Sequence, residues 1–124
     1  MADKKKVLIA EDSSVIQTLT KKILLIQNYD IDSAKNGKQV MDKVAKKDYD
    51  VILMDINMPQ MDGMQCAKAI RDQGNQVPIV AITGNARNYT MEDFKSVGIN
   101  DFLPKPLDFD ALVETVKKYT LGNK

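Results

Sequence analysis

The sequence predicts an open α/β domain: a doubly wound, five-stranded parallel sheet in the order 2-1-3-4-5, with helices on both faces. Three observations predict it. Short β-branched apolar runs alternate five times with segments of helical periodicity. The runs are apolar continuously rather than alternately, as strands covered on both faces must be. The length of 124 residues suits one domain and is too short for an eight-fold barrel.

Val7-Leu8-Ile9-Ala10 is the first strand. After Glu11-Asp12-Ser13-Ser14 the period becomes helical, with Val15, Leu19, Ile23 and Ile26 on one stripe and Asp12 or Ser13 as the cap. Residues 29–34 make a weaker second strand, and Asn36-Gly37 marks the turn after it. Val40, Met41 and Val44 give a second helical stripe with lysines opposite. Val51-Ile52-Leu53-Met54 is the third strand, ending on Asp55; Pro59 and Gly63 then bracket a loop before a helix carrying Ala67 and Ile70. The fourth strand covers residues 78–82 and ends on Thr83, followed by a polar loop over residues 84–88. A short helix through Met91 and Phe94 is closed by Gly98. Asp101-Phe102-Leu103 is the fifth strand, ended by Lys105-Pro106, and the last helix carries Leu112, Val116 and Tyr119. No linker, repeat or low-complexity segment interrupts this flavodoxin-like pattern, so residues 1–124 are expected to form one domain with a core over about 7–119.

Composition narrows the chemistry. Eighteen basic and 17 acidic residues leave a net charge of +1, which gives no electrostatic footprint for nucleic acid. No apolar run approaches the roughly 20 residues that span a bilayer. The apolar stretch after Lys4-Lys5-Lys6 is too short for a signal peptide, so a cytoplasmic location is expected, away from membranes. The lone Cys66 excludes an internal disulfide, and the absence of histidine excludes zinc sites and histidine-based triads. Chemistry must run on carboxylates, hydroxyls, amides and lysine.

In open doubly wound sheets, ligands bind beyond the carboxyl ends of the strands, at the switch point between strands 1 and 3. Strand 1 delivers Glu11 and Asp12 there, strand 3 Asp55, strand 4 Thr83 and strand 5 Lys105; strand 2, away from the switch point, ends on Ser33 and Ala34. Carboxylates converging on one rim repel one another by on the order of 4 kcal/mol per pair at about 4 Å and an effective dielectric near 20. Raised pKa values, a lysine or a cation must offset that. All-oxygen ligands suit Mg²⁺ or Mn²⁺. A carboxylate nucleophile, such a metal and a lysine together make a phosphoryl-transfer site.

Glu11-Asp12, the run Asp55-Ile56-Asn57-Met58-Pro59 with Gly63, Thr83-Gly84 and Lys105-Pro106 together resemble the receiver domain of two-component response regulators, the CheY-like family. The resemblance runs from residue 7 to 119. Around residues 54–63 and 82–86 it is most similar to receivers of phosphorelays and hybrid histidine kinases. It implies that Asp55 accepts a phosphoryl group from a phosphohistidine on a histidine kinase or histidine phosphotransfer protein. Asp12, Asp55 and the backbone carbonyl of Asn57 would ligate Mg²⁺, with Glu11 acting through metal-bound water. Lys105 would contact the phosphate, and its bond to Pro106 would be cis. Thr83 would swing toward the phosphoryl oxygen while Phe102, at the aromatic switch position, rotates inward. The loop over residues 84–88 would pass the change to a downstream protein at the face of helix 4, strand 5 and helix 5. Asn57 and Asn85 stand where the family tunes phosphoaspartate hydrolysis. The donor would dock near residues 14–16 and the loop at Pro106.

Each residue also has a plainer reading. Glu11-Asp12 makes a capping turn, Asp55 an Asx turn, Thr83 a strand-end hydroxyl and Lys105 a solvated loop lysine. Needing all of these at one rim favours the functional reading. Phe102 reads equally as switch and as core. Met54, Met58, Met61 and Met64 read as packing around the acceptor loop, and Cys66 as a buried helix residue. Two competitors remain. One is a receiver-like interaction module that is never phosphorylated, against which the intact acidic and lysine positions argue. The other is a phosphatase with an aspartyl nucleophile, but Asn57 stands where the haloacid-dehalogenase pattern needs a second aspartate. The protein is therefore expected to catalyse only its own phosphorylation and dephosphorylation, either alone or as one domain of a larger chain. A third reading, a flavin-binding domain of similar topology, needs a phosphate-cradling loop after the first strand, and this sequence shows no recognisable one there.

Overall fold

The computed structural model describes residues 4–58, 61–84 and 89–121. Strands and helices alternate: β1 (Lys6–Ala10), α1 (Ser14–Ile26), β2 (Asp30–Ala34), α2 (Gly37–Lys46), β3 (Val51–Asp55), α3 (Gly63–Asp72), β4 (Ile79–Thr83), α4 (Met91–Ser96), β5 (Asp101–Pro104) and α5 (Phe109–Leu121). The strands pair in parallel in the order β2-β1-β3-β4-β5. This is the expected flavodoxin-like winding, with its switch point between β1 and β3.

Side chains alternate across the sheet and divide the core into two layers. Val7, Ile9, Val51, Leu53, Val80 and Ile82 pack with Leu24 of α1 and with Leu112 and Val116 of α5. Leu8, Ala10, Ile52, Met54, Ile79 and Ala81 pack with Val40 and Val44 of α2, Cys66, Ala67 and Ile70 of α3, and Phe94 of α4. All five residues of β3 and all five of β4 are buried, which is why those runs carry no polar alternation. Met54 and Met58 are buried and Met61 and Met64 pack against the same core, so the methionines fill space as expected. Cys66 is buried too, and burial, with the Asp62 carboxylate adding to it, pushes its thiol up to about 11, which leaves it inert.

The face of α1 is where the structure departs from the expectation. Val15 is 70% exposed, Leu19 45% and Ile26 80%, so the stripe of Val15, Leu19 and Ile26 faces outward, and Ile23 is only half-buried. The buried positions are Thr20 and Leu24. Apolar residues occur on both sides of this helix, so periodicity alone chose the wrong side. A threonine can face the sheet because its hydroxyl donates to Ile16 O at 2.8 Å, leaving no unpaired polar group. Ser13, not Asp12, caps the helix, its Oγ accepting from the Ile16 N–H.

Two glycines sit at close approaches, Gly63 at the site end of the sheet and Gly98 at the opposite end, before β5. A Cβ on Gly63 would lie 2.7 Å from Asp55 O and 2.9 Å from Ile56 Cα, so α3 begins against the backbone that carries Asp55. Its N–H also donates to Ile56 O at 3.0 Å. Asp62 and Gln65 form a capping box at that helix start. Gly98 closes α4 with φ +87°, a left-handed conformation that glycine adopts without strain.

Candidate functional site

The ends of β1, β3, β4 and β5 deliver the site. Glu11 leaves β1 with its N–H donated to Ala34 O at 3.0 Å, and Asp55 closes β3. Lys105 follows β5, held to β4 by its N–H donating to Thr83 O at 2.8 Å. Glu11 is 2% exposed and Asp55 1%, Thr83 is fully buried, and Asp12 faces solvent. Carboxylate oxygens of Glu11, Asp12 and Asp55 all lie within 4.8 Å of one another. Lys105 Nζ stands 3.2 Å from Asp55 Oδ2 and 3.6 Å from Glu11 Oε1. The Lys105–Pro106 peptide is cis, as the resemblance implies.

Electrostatics leave this cluster short of positive charge. Glu11 Oε2 accepts the Ser13 N–H at 3.2 Å, but Oε1 is buried with no hydrogen-bond partner, Lys105 being too distant for one. Burial, then the neighbouring Asp55 carboxyl, push the Glu11 pKa up to about 7, while the Ser13 N–H and Lys105 act the other way. Among the described residues three carboxylates face one lysine, and one buried oxygen has no hydrogen-bond partner. A divalent cation answers both conditions, and an all-oxygen donor set without imidazole or thiolate fits Mg²⁺ or Mn²⁺.

The remaining expected residues fall as follows. Asn57 is exposed, and its N–H donates to Asp55 Oδ1 at 3.1 Å, so Asp55 does make the Asx turn of its plainer reading. Phe102 is half-buried and stacks on Phe94 with ring centroids 5.5 Å apart, and Phe94 stacks on Tyr89 at the same distance. Asn85 and Pro59 lie outside the described residues. Two features were missed by sequence reasoning. Gln17 of α1 donates to Glu11 O and to Ala34 O, both at 3.1 Å; only its polarity at a half-buried helix position hinted at this. Ile16, Lys105, Pro106 and Leu107 line an apolar cavity of about 150 Å³ beside the site; the resemblance had paired residues 14–16 with Pro106, but the cavity and the part Leu107 takes in it left no local signal.

A doubly wound parallel sheet with an acidic, lysine-faced cluster at its switch point defines an α/β domain whose site can hold a cation beside a phosphate. Residues 7–117 match the family model of the response regulator receiver domain, and the chain belongs to that family. It is similar to sensor protein EvgS of Escherichia coli strain K12, with 38% identity over 112 residues that cover 90% of this chain and 9% of EvgS. It is equally similar to two-component system protein A of Emericella nidulans, 38% identical over 122 residues covering 96% of this chain and 18% of that protein. The chain thus spans under a fifth of the length of either relative.

Among solved structures, the receiver domain of the sensor histidine kinase PA1611 from Pseudomonas aeruginosa PAO1 superposes with a TM-score of 0.87 and 32% identity, covering 95% of this chain and 98% of that one. That structure has a magnesium ion coordinated in its active site cleft. A chain of the co-crystal structure of the Saccharomyces cerevisiae histidine phosphotransfer protein Ypd1 with the receiver domain of its downstream response regulator Ssk1 gives 0.88 and 28%, covering 98% and 92%. The protein is therefore a receiver domain of two-component and phosphorelay signalling. No helix among the described residues is long and apolar enough to cross a membrane.

Proposed function

We propose that this receiver takes a phosphoryl group from a phosphohistidine onto Asp55 and changes state as it does so. The observation that carries this is the convergence of the Glu11, Asp12 and Asp55 carboxylates within 4.8 Å, with Lys105 Nζ 3.2 Å from Asp55 Oδ2. An Asp55 carboxylate oxygen forms the new bond to phosphorus as the phosphorus–nitrogen bond of the donor breaks, and the electron pair leaves with the imidazole. Lys105, already beside Asp55, shifts its contact to the phosphoryl oxygens. Thr83, at the end of β4, supplies a hydroxyl donor to the same oxygens. Asp12, Asp55 and the Asn57 carbonyl would hold Mg²⁺, with Glu11 reached through water. Mg²⁺ supplies the positive charge that three carboxylates and an incoming phosphoryl group need. Asn57 in place of a second acid supports a transient acceptor rather than a phosphatase that turns over a separate substrate.

The phosphodonor, a histidine kinase or histidine phosphotransfer protein, docks on the outward face of α1 at Ser14, Val15, Thr18 and Leu19 and on the cavity at Ile16, Pro106 and Leu107. Output leaves through Phe102 and the face made by α4, β5 and α5, toward a downstream protein. Phe102 stacked on Phe94 ties that ring to α4, which supports a role in this path. The test is intact mass after incubation with Mg²⁺ and acetyl phosphate. One phosphoryl group should add to the protein, the addition should need Mg²⁺, and Asp55→Asn should abolish it. No addition, or addition that survives Asp55→Asn, sinks the assignment.

A further inference from the structure

Gln17 sits on α1, six residues beyond Glu11, and its side-chain amide donates to two main-chain oxygens from different strand ends. One is Glu11 O, just past β1; the other is Ala34 O, the last residue of β2; both are 3.1 Å away. Ala34 O also accepts the Glu11 N–H at 3.0 Å. Glu11 is therefore tied on both of its peptide groups. Because a peptide unit is planar, fixing Glu11 O also fixes the N–H and Cα of Asp12. The clamp sets the backbone from which both acidic side chains leave, without touching either carboxylate.

We propose that Gln17 is a positioning residue for the acidic pair, holding Glu11 and Asp12 in the arrangement that accepts a divalent cation. This rests on the reading of the cluster as a Mg²⁺ site. Groups one step removed from metal ligands commonly change affinity by 10–100-fold when lost. Gln17 differs from such a group in acting through the main chain, so its loss displaces together Asp12, a ligand, and Glu11, reached through water.

The experiment is calorimetric titration of Mg²⁺ into the wild type, Gln17→Met and Gln17→Asn, well below the melting temperature of each. Methionine matches glutamine in length and has no donor; asparagine keeps the amide but is too short to reach both oxygens. The Mg²⁺ Kd should rise about tenfold in Gln17→Met and by a smaller factor in Gln17→Asn, which carries the test alone if the methionine variant does not fold. Leu24→Ala, on the same helix and buried, is the control: it should lower Tm and leave Kd unchanged. A wild-type Kd retained in the Gln17 variants, or an equal rise in Leu24→Ala, overturns the inference while the metal site stands. A wild type that binds no Mg²⁺ overturns the reading of the site itself, and the inference with it.

Discussion

Glu11 is the residue on which the site's response to pH turns. Its carboxyl takes its proton at about 7 in the folded protein against 4.5 in an ordinary setting, burial being the main cause. Between those values the folded state holds the extra proton, so stability falls as pH rises from about 4.5 to about 7 in the absence of metal. Denaturant titrations of the wild type and Glu11→Gln across that window should run parallel at lower pH and then diverge, the wild type losing up to about 3 kcal/mol relative to the variant. A constant difference would mean that Glu11 does not titrate there. At the proposed Mg²⁺ site the ionised form of Glu11 is the one that favours the cation, so apparent affinity should climb with pH over the same range, with proton release measurable in weak buffer. At this scale the sequence placed residues well where a strand end carries them. Glu11, Asp12, Asp55, Thr83 and Lys105 all stand at the expected rim. Gln17 was not legible, because its contacts join α1 to two strand ends, and no local spacing encodes that.

Among the elements, the strands were the most legible and α1 the least. A strand buried on both faces must be apolar throughout, so its sequence admits one reading; β3 and β4 follow it. An amphipathic helix shows only that some face is apolar, and α1 has two such faces. Leu24→Ala should therefore destabilise the protein by about 2–5 kcal/mol, whereas Ile26→Ala, 80% exposed, should change stability by within about 0.5 kcal/mol. Thermal or urea denaturation decides between the faces, and a larger loss from Ile26→Ala would contradict the packing described. The start of α3 makes a second prediction. Gly63→Ala forces a methyl group to within 2.7 Å of Asp55 O and 2.9 Å of Ile56 Cα, and neither backbone atom can yield without moving the acceptor. The expected result is a loss of about 1–3 kcal/mol in stability together with slower phosphorylation by acetyl phosphate, read by intact mass over time. Glycine in the sequence suggested only a loop; the near approach to β3 depends on where two distant segments meet.

At the scale of the whole molecule, the two layers of the sheet are unequal in what they leave uncovered. The large apolar side chains exposed among the described residues are Val15, Leu19, Leu25 and Ile26, all on α1. From Val15 to Ile26 they extend about 16 Å along the helix, roughly three turns. The near end of this strip adjoins the cavity of Ile16, Lys105, Pro106 and Leu107, next to Asp55. Lys22 falls on the line of the strip between Leu19 and Ile26, with Lys21 to one side, and α1 carries no acidic residue, so two copies meeting on this face would bring lysines together. A partner helix with an apolar stripe and acidic flanks fits better, and the position of the strip suits a protein that must present a phosphohistidine to Asp55. Placing a charge at Leu19 separates docking from chemistry. Leu19→Glu should slow transfer from a phosphorylated histidine phosphotransfer protein by about tenfold or more, because it puts a carboxylate where apolar surface must be covered. Phosphorylation by acetyl phosphate, which needs no docking face, should proceed at the wild-type rate. Equal slowing with both donors would mean that the substitution damages the site, and no slowing with the protein donor would place its docking surface elsewhere.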